Sequence, residues 1–356
     1  MPGDRVPISR RSWLRCLAGA CLCWGLAPLE AGPAPQRFEF SKPQMGVPFR
    51  IVIYAASAEI AERAAAKAFA RVEALNQILS DYEYDSELSA LSRSSGSGKA
   101  IKLSRELWLV LNRAQELSRA TGGAYDVTVG PFTSLWRKAR RDKALPPEDR
   151  LQAARAAVGF HHLILDPRRH TALLDTPGMR LDLGSIAKGF AVDEAMHALE
   201  REGIRSALTA AAGDLRVSAR PPGKAGWDIS VGAFDTPEGP RGYVIPIVRR
   251  AVCSSGDFFQ KLEIDGKRYS HIVNPHTGIG ITDHSLVTVI GRDAMTANSW
   301  ATTISVLGPS MGIAAAEKHG GLAVHIVRQP GDTIDTHNSR DFRRQYLKHG
   351  RDRARS

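Results

Sequence analysis

Apolar and polar positions along this chain follow two periods, and their alternation outlines the fold. Residues 47–54 (VPFRIVIY) form a short apolar run of β type. Residues 58–79 then place apolar side chains at helical spacing among strong helix formers, which predicts a long amphipathic helix. A second helix is expected over 103–120, closed by Thr121-Gly122-Gly123. The charge-rich stretch 137–155 reads as surface structure. From residue 162 onward, short strand patterns separated by turn residues fall at 163–165, 171–174, 180–183, 227–231, 242–248, 251–253, 259–264, 286–290 and 322–327. Helical patterns interrupt them at 185–202, 296–307 and 312–319. Helices mixed with hairpins of antiparallel character predict an α+β fold, with mixed or antiparallel sheets and packed helices. No G-x-G-x-x-G stands at a strand-to-helix turn, so a dinucleotide site of the doubly wound kind is not supported.

The first 31 residues depart from this pattern. Ser9-Arg10-Arg11-Ser12-Trp13-Leu14-Arg15 precedes the apolar run 16–29, which is short for a bilayer span. The paired arginines predict a twin-arginine export signal over 1–31. An uncleaved membrane anchor and a lipid anchor at Cys21 or Cys23 are the alternatives. Either would hold the chain at a membrane surface. The expected location is the periplasm or the outer face of the cytoplasmic membrane. Pro-rich residues 32–44 read as a linker, 45–342 as the catalytic domain and 343–356 as a basic tail. Three of the four cysteines lie in the export segment, so a mature chain keeps only Cys253 and forms no internal disulfide. The net charge of +11 is concentrated at the ends. The first 31 residues hold +2 and the tail 343–356 holds +5, leaving +4 for the body. A basic tail on a mildly basic body is a solvated extension, and nucleic acid is not expected as a partner.

Five segments could carry chemistry. In Leu181-Asp182-Leu183-Gly184-Ser185-Ile186-Ala187-Lys188-Gly189 a strand ends and a helix begins. Free N–H groups, the helix dipole and Lys188 there favour phosphate, although a capped helix with a surface lysine reads equally from the segment. In Thr296-Ala297-Asn298-Ser299-Trp300-Ala301-Thr302, Asn298 and Thr302 share a helix face and offer hard oxygens suited to Mg²⁺. A polar helix start is the alternative there. Tyr269-Ser270-His271-Ile272-Val273-Asn274-Pro275-His276-Thr277-Gly278 offers His271 for proton transfer, or a structural turn. Gly122-Gly123-Ala124-Tyr125-Asp126-Val127-Thr128-Val129-Gly130 could line a nucleotide pocket or simply end a helix. Ser254-Ser255-Gly256-Asp257-Phe258 is a turn after a strand that could present N–H groups or a carboxylate, or be an ordinary turn. No G-x-S-x-G elbow suggests a hydrolase triad.

In this order along one chain, these motifs resemble those of the FAD:protein FMN transferase (ApbE) family. Met45-Gly46, Ser80-Asp81-Tyr82, Asp85-Ser86-Glu87-Leu88, Ala191-Val192-Asp193 and Ala297–Gly308 extend the resemblance over nearly the whole chain beyond the export segment. The resemblance implies a Mg²⁺-dependent enzyme of ApbE-like fold. It would transfer FMN from FAD to a Thr or Ser of a target flavoprotein, with release of AMP. It implies FAD contacts at Met45, Tyr82, Ala124, Tyr125, Asp126, Asp182, Lys188 and Ile272. It implies a metal site of Ser185 (through its backbone oxygen), Asn298 and Thr302, with His271 and Lys188 as catalytic groups. Two departures stand out. Asn298 occupies a place where the family usually has Asp, so one negative charge near the cation is missing. The family's Asn-x-Gly-Gly-Asp stretch reads Ala210-Ala211-Ala212-Gly213-Asp214. An FAD pyrophosphatase that releases free FMN, and a non-catalytic FAD-binding protein of the cell envelope, are the competing readings.

Overall fold

The computed structural model describes residues 34–232, 242–256, 261–331 and 333–347. The export segment 1–31, Asp257 and most of the basic tail lie outside the described residues. At its centre is an eight-stranded antiparallel sheet. Its strands, Gln36–Gln44, Val47–Ala55, Ser206–Ala211, Asp214–Val217, Arg250–Gly256, Ser285–Gly291, Ala323–Arg328 and Asp335–Asn338, lie across it in chain order. The expected α+β class with antiparallel sheets is the observed one.

Alternation explains how the sheet divides two layers. Ile51, Ile53, Ala207, Ala251, Cys253, Val287, Val289, Val324 and Ile326 face one core. Their neighbours Val52, Leu208, Val252, Ile290 and Ala323 face the other. A strand's period of two requires this division. On the first face lie the helices Ala58–Leu79, Arg105–Ala120, Ala187–Arg201 and Ala294–His319. Ser57 caps the first of them, and Ala61, Ala64, Ala65, Ala68, Phe69, Val72, Leu75 and Leu79 form its buried stripe. On the second face a hairpin of Trp227–Val231 and Tyr243–Ile247 closes over the sheet. A third, smaller core gathers Phe132, Trp136, Leu151, Leu262, Tyr269 and Val273.

Three expectations are corrected. Residues 32–44 are not a linker throughout, because Gln36–Gln44 is the edge strand paired in full with Val47–Ala55. Phe38 and Phe40 alternate with charged residues there and pack against the core. The two strands join at Met45-Gly46, with φ of 50° and 74°, as a two-residue hairpin with positive φ at both positions requires. Residues 137–155 are not merely surface. Within them Ala139, on the helix Gly130–Asp142, and Leu151 are buried in the third core. Finally, 180–183 is not a strand of a sheet; it makes an isolated bridge from Arg180 to Val129 and a hydrogen bond from the Asp182 N–H to the Val127 carbonyl at 2.8 Å. The two helices expected at 296–307 and 312–319 are observed as the two halves of Ala294–His319, separated by a kink at Gly308 where φ is 74°.

Candidate active site

Two helix starts meet on the first face of the sheet. Gly189, in the first turn of Ala187–Arg201, sits so close to the start of Ala294–His319 that an added Cβ would come within 2.3 Å of the Ala294 carbonyl oxygen. Asp193, one turn further on and 4% exposed, binds the opposing helix start directly. Its carboxylate accepts from the Ala294 and Met295 N–H groups, both at 2.9 Å, and from Arg216 at 2.8 Å. Helix-end donors and a guanidinium thus share one buried acid. Burial pushes the Asp193 carboxyl above its ordinary range, and Arg216 and the two N–H groups work against that rise.

This junction orders the loop before it. Asp182 accepts from the Gly184 N–H at 2.9 Å, and Lys188 Nζ donates to the Gly184 carbonyl at 2.7 Å. Ser185 does not cap the helix as expected. Ile186 is at the N-cap without a side-chain bond, and Ser185 Oγ donates to Tyr125 Oη at 3.1 Å. Burial pushes the Tyr125 phenol well up, so it is protonated at neutral pH. Asp126, also buried, accepts from the Thr128 N–H and hydroxyl, each at 2.7 Å, and burial raises its carboxyl. Ala124 is buried beside them.

Arg137 forms the next wall. Its guanidinium donates to Asp182 at 2.8 Å and to Asp81, and it lies 4.2 Å from the centre of the Tyr82 ring. Thr133 donates to the same Asp182 oxygen at 2.8 Å. Burial, with the neighbouring Asp182 charge, raises the Asp81 carboxyl against the pull of Arg137 and Arg180. Tyr82 remains 74% exposed, an open aromatic face backed by a cation.

On the Ala294–His319 helix, Asn298 is 5% exposed and donates from Nδ2 to Asp214 at 3.0 Å. Its Oδ1 is buried with no hydrogen-bond partner. Thr302 is half-buried one turn along. Asp214 is fully buried. Desolvation pushes its carboxyl up, while the Lys188 charge, the Cys253 thiol and the Asn298 amide pull it down. Lys188 and Asn298, expected from different motifs, therefore bear on one carboxylate. Met45, in its hairpin turn, packs against the same helical core.

His271 and Ile272 lie on a loop that leaves the strand Lys267–Ser270. Ser270 N–H donates to Ile281 O at 2.7 Å and closes the loop. His271 is half-buried and Ile272 buried. Trp136 Nε1 donates to Gly278 O at 2.8 Å, and Arg155 donates to His276 O and Thr277 O at 2.7 and 2.8 Å. Gly278 has φ of 74°, and a Cβ there would lie 2.7 Å from the Phe132 ring. Gly278→Ala is therefore expected to destabilise by about 1–3 kcal/mol and to shift the His271 loop. Turnover should fall more than FAD affinity, which paired kinetic and flavin-binding measurements will check. Among the described residues, no group of three or more His, Cys, Asp or Glu gathers as a metal cage.

The family model described as ApbE family matches residues 45–326. The chain belongs to the ApbE family. The FAD:protein FMN transferase of Vibrio cholerae is 34% identical over 313 residues, covering 86% of this chain and 91% of that protein. The protein of that name from Escherichia coli strain K12 is 30% identical, covering 81% and 82%. Among solved structures, the flavin transferase ApbE from Vibrio cholerae superposes with a TM-score of 0.79 at 30% identity, covering 87% of this chain and 99% of that one. The apo form of the Pseudomonas stutzeri flavinyl transferase ApbE gives 0.78 at 27%, covering 88% and 98%. As an ApbE-family member the chain is an enzyme of the transferase class.

Every residue expected at the site lies within the ApbE match. Arg137 and the Asp214–Asn298 contact were not foreseen. Arg137 stands 45 residues from Asp182 and 56 from Asp81, and its own segment is rich in charge. The Ala212 position, where the family pattern has glycine, holds φ of 52°. A left-handed alanine costs about 1–2 kcal/mol, so this departure is tolerated with strain.

Proposed function

We propose that this ApbE-family chain is a Mg²⁺-dependent FAD:protein FMN transferase, acting outside the cytoplasm on a Thr or Ser hydroxyl of a flavoprotein and releasing AMP. The supporting observation is the buried, unpaired Oδ1 of Asn298, set beside the Asp214 carboxylate at the junction of two helix starts. The names of the relatives support FAD as substrate and a protein as acceptor. Asn298, Thr302 and the Ser185 backbone offer neutral hard oxygens, a set that suits Mg²⁺ completed by water and substrate phosphates. When bound, Mg²⁺ supplies neutralisation of charge on a diphosphate.

The chain's own groups do the rest. Lys188, held over the helix start, adds a positive charge for the diphosphate. Tyr82 offers its exposed ring for stacking, with Arg137 fixing it from behind. Asp126 and Asp182 are oriented acceptors for ring or sugar N–H and O–H groups. His271 takes the proton as the acceptor hydroxyl oxygen attacks the FMN-side phosphorus. The P–O bond to AMP breaks, AMP leaves with the electron pair, and FMN stays on the acceptor as a phosphoester. The twin-arginine segment at the N-terminus would deliver the folded enzyme to the cell envelope.

The full chain should be incubated with FAD, Mg²⁺ and a flavoprotein acceptor, and the acceptor weighed by mass spectrometry. Covalent FMN together with an equal amount of AMP is expected. Neither product from a folded protein would refute the proposal, and free FMN with AMP would identify a pyrophosphatase.

A further inference from the structure

The missing charge at Asn298 has a neighbour that can supply it. Asp214 opens the strand Asp214–Val217 directly after the Ala212-Gly213 turn and pairs across the sheet with Cys253. Its side-chain donor is the neutral Asn298 amide at 3.0 Å, with the Cys253 thiol beside it, and the Lys188 charge acts on it without a direct hydrogen bond. Only the nitrogen end of an amide can face a carboxylate, because its oxygen would be repelled. Asp214 therefore fixes which way Asn298 is turned and sends Oδ1 to the opposite side. That oxygen is buried and without a partner. The Lys188 charge offsets part of the Asp214 charge but leaves Asn298 Oδ1 without a partner, and a cation at that oxygen would complete the amide while lying one side chain from the carboxylate.

We propose that Asp214 is the positioning residue of the cation site, holding Asn298 Oδ1 toward the metal and carrying the negative charge that Asn298 lacks. This rests on the Mg²⁺-dependent reading above. Asn298 and Asp214 then act as one singly charged unit. An Asp at position 298 would instead set two carboxylates in contact, which is unfavourable until a cation enters.

The test titrates Mg²⁺ into the full chain loaded with FAD and no acceptor, by calorimetry and by the metal-induced rise in thermal midpoint. Asp214→Asn should weaken Mg²⁺ about 10-fold or more, the scale of one charge-assisted contact. The exchange Asn298→Asp with Asp214→Asn moves the charge by one side chain and should restore affinity to within about 3-fold. Asn298→Asp alone should lower the metal-free midpoint and enlarge the rise on adding Mg²⁺. Wild-type affinity in Asp214→Asn, or an exchange variant no better than Asp214→Asn, overturns the role of Asp214 while leaving the transferase reading intact. No Mg²⁺ binding by the wild-type chain defeats both. If Asp214→Asn does not fold, the charge-conserving exchange variant decides: affinity near wild type supports the proposal, and loss of binding by a folded protein overturns it.

Discussion

Arg137→Ala should destabilise the protein by about 3–5 kcal/mol and abolish most FAD affinity, because it leaves two buried carboxylates facing each other. The Arg137, Asp81 and Asp182 side chains are 19%, 8% and 11% exposed. With the guanidinium gone, Asp81 and Asp182 repel across the space it filled, and Arg180, 3.8 Å from Asp81, compensates one of them only in part. Tyr82 also loses the cation beneath its ring. The pH dependence has a definite sign. The Asp81 carboxyl is already raised in the folded wild type, and the variant raises it further. A carboxyl raised by folding contributes nothing adverse while protonated, and stability falls as pH rises through its folded value. The deficit of the variant should therefore be smallest near pH 4 and widen toward pH 7, read by urea denaturation across that range. A constant deficit would mean that Arg137 acts by packing alone.

Asp193→Ala is expected to have an effect of similar size by a different route. It strands the Arg216 guanidinium, 19% exposed, and removes the shared acceptor of the Ala294 and Met295 N–H groups. Losing one partner of a buried ion pair costs about 3–5 kcal/mol. The start of the Ala294–His319 helix would loosen against Gly189, carrying Asn298 with it. Thermal unfolding and the Mg²⁺ titration should both move. Asp193→Asn, which retains an oxygen acceptor but not the charge, should fall between wild type and alanine in both measurements.

Legibility in the sequence followed the range of the signal. Val47–Ala55 and Ala58–Leu79 carry their periods within one window and were readable. The strand Gln36–Gln44 was hidden because prolines at 33, 35 and 43 outweighed the alternation of Phe38 and Phe40. Ser206–Ala211 (SALTAA) holds one β-branched residue, Thr209, and no aromatic, too few to announce a strand. It is a strand because it is hydrogen-bonded on both sides in the sheet, against Val47–Ala55 and Asp214–Val217. At the site, the individual motifs were visible and their mutual geometry was not. Ser185 looked like a cap because a serine precedes a helix, yet a buried phenol, 60 residues earlier, takes its hydroxyl. Asp214 and Asn298 stand 84 residues apart, so neither residue suggests the other until the sheet and the helix are assembled.

The strands of the main sheet succeed one another in the order of synthesis. Apart from Met45 and Asp214, the candidate site residues are borne on detours between adjacent strands: Tyr82, Asp126, Asp182 and Lys188 on one, His271 on another, Asn298 on a third. A detour of this kind can be lengthened, trimmed or exchanged without altering which strand binds which. The loop bearing His271 can therefore change in length without re-pairing the strands Arg250–Gly256 and Ser285–Gly291 that flank it.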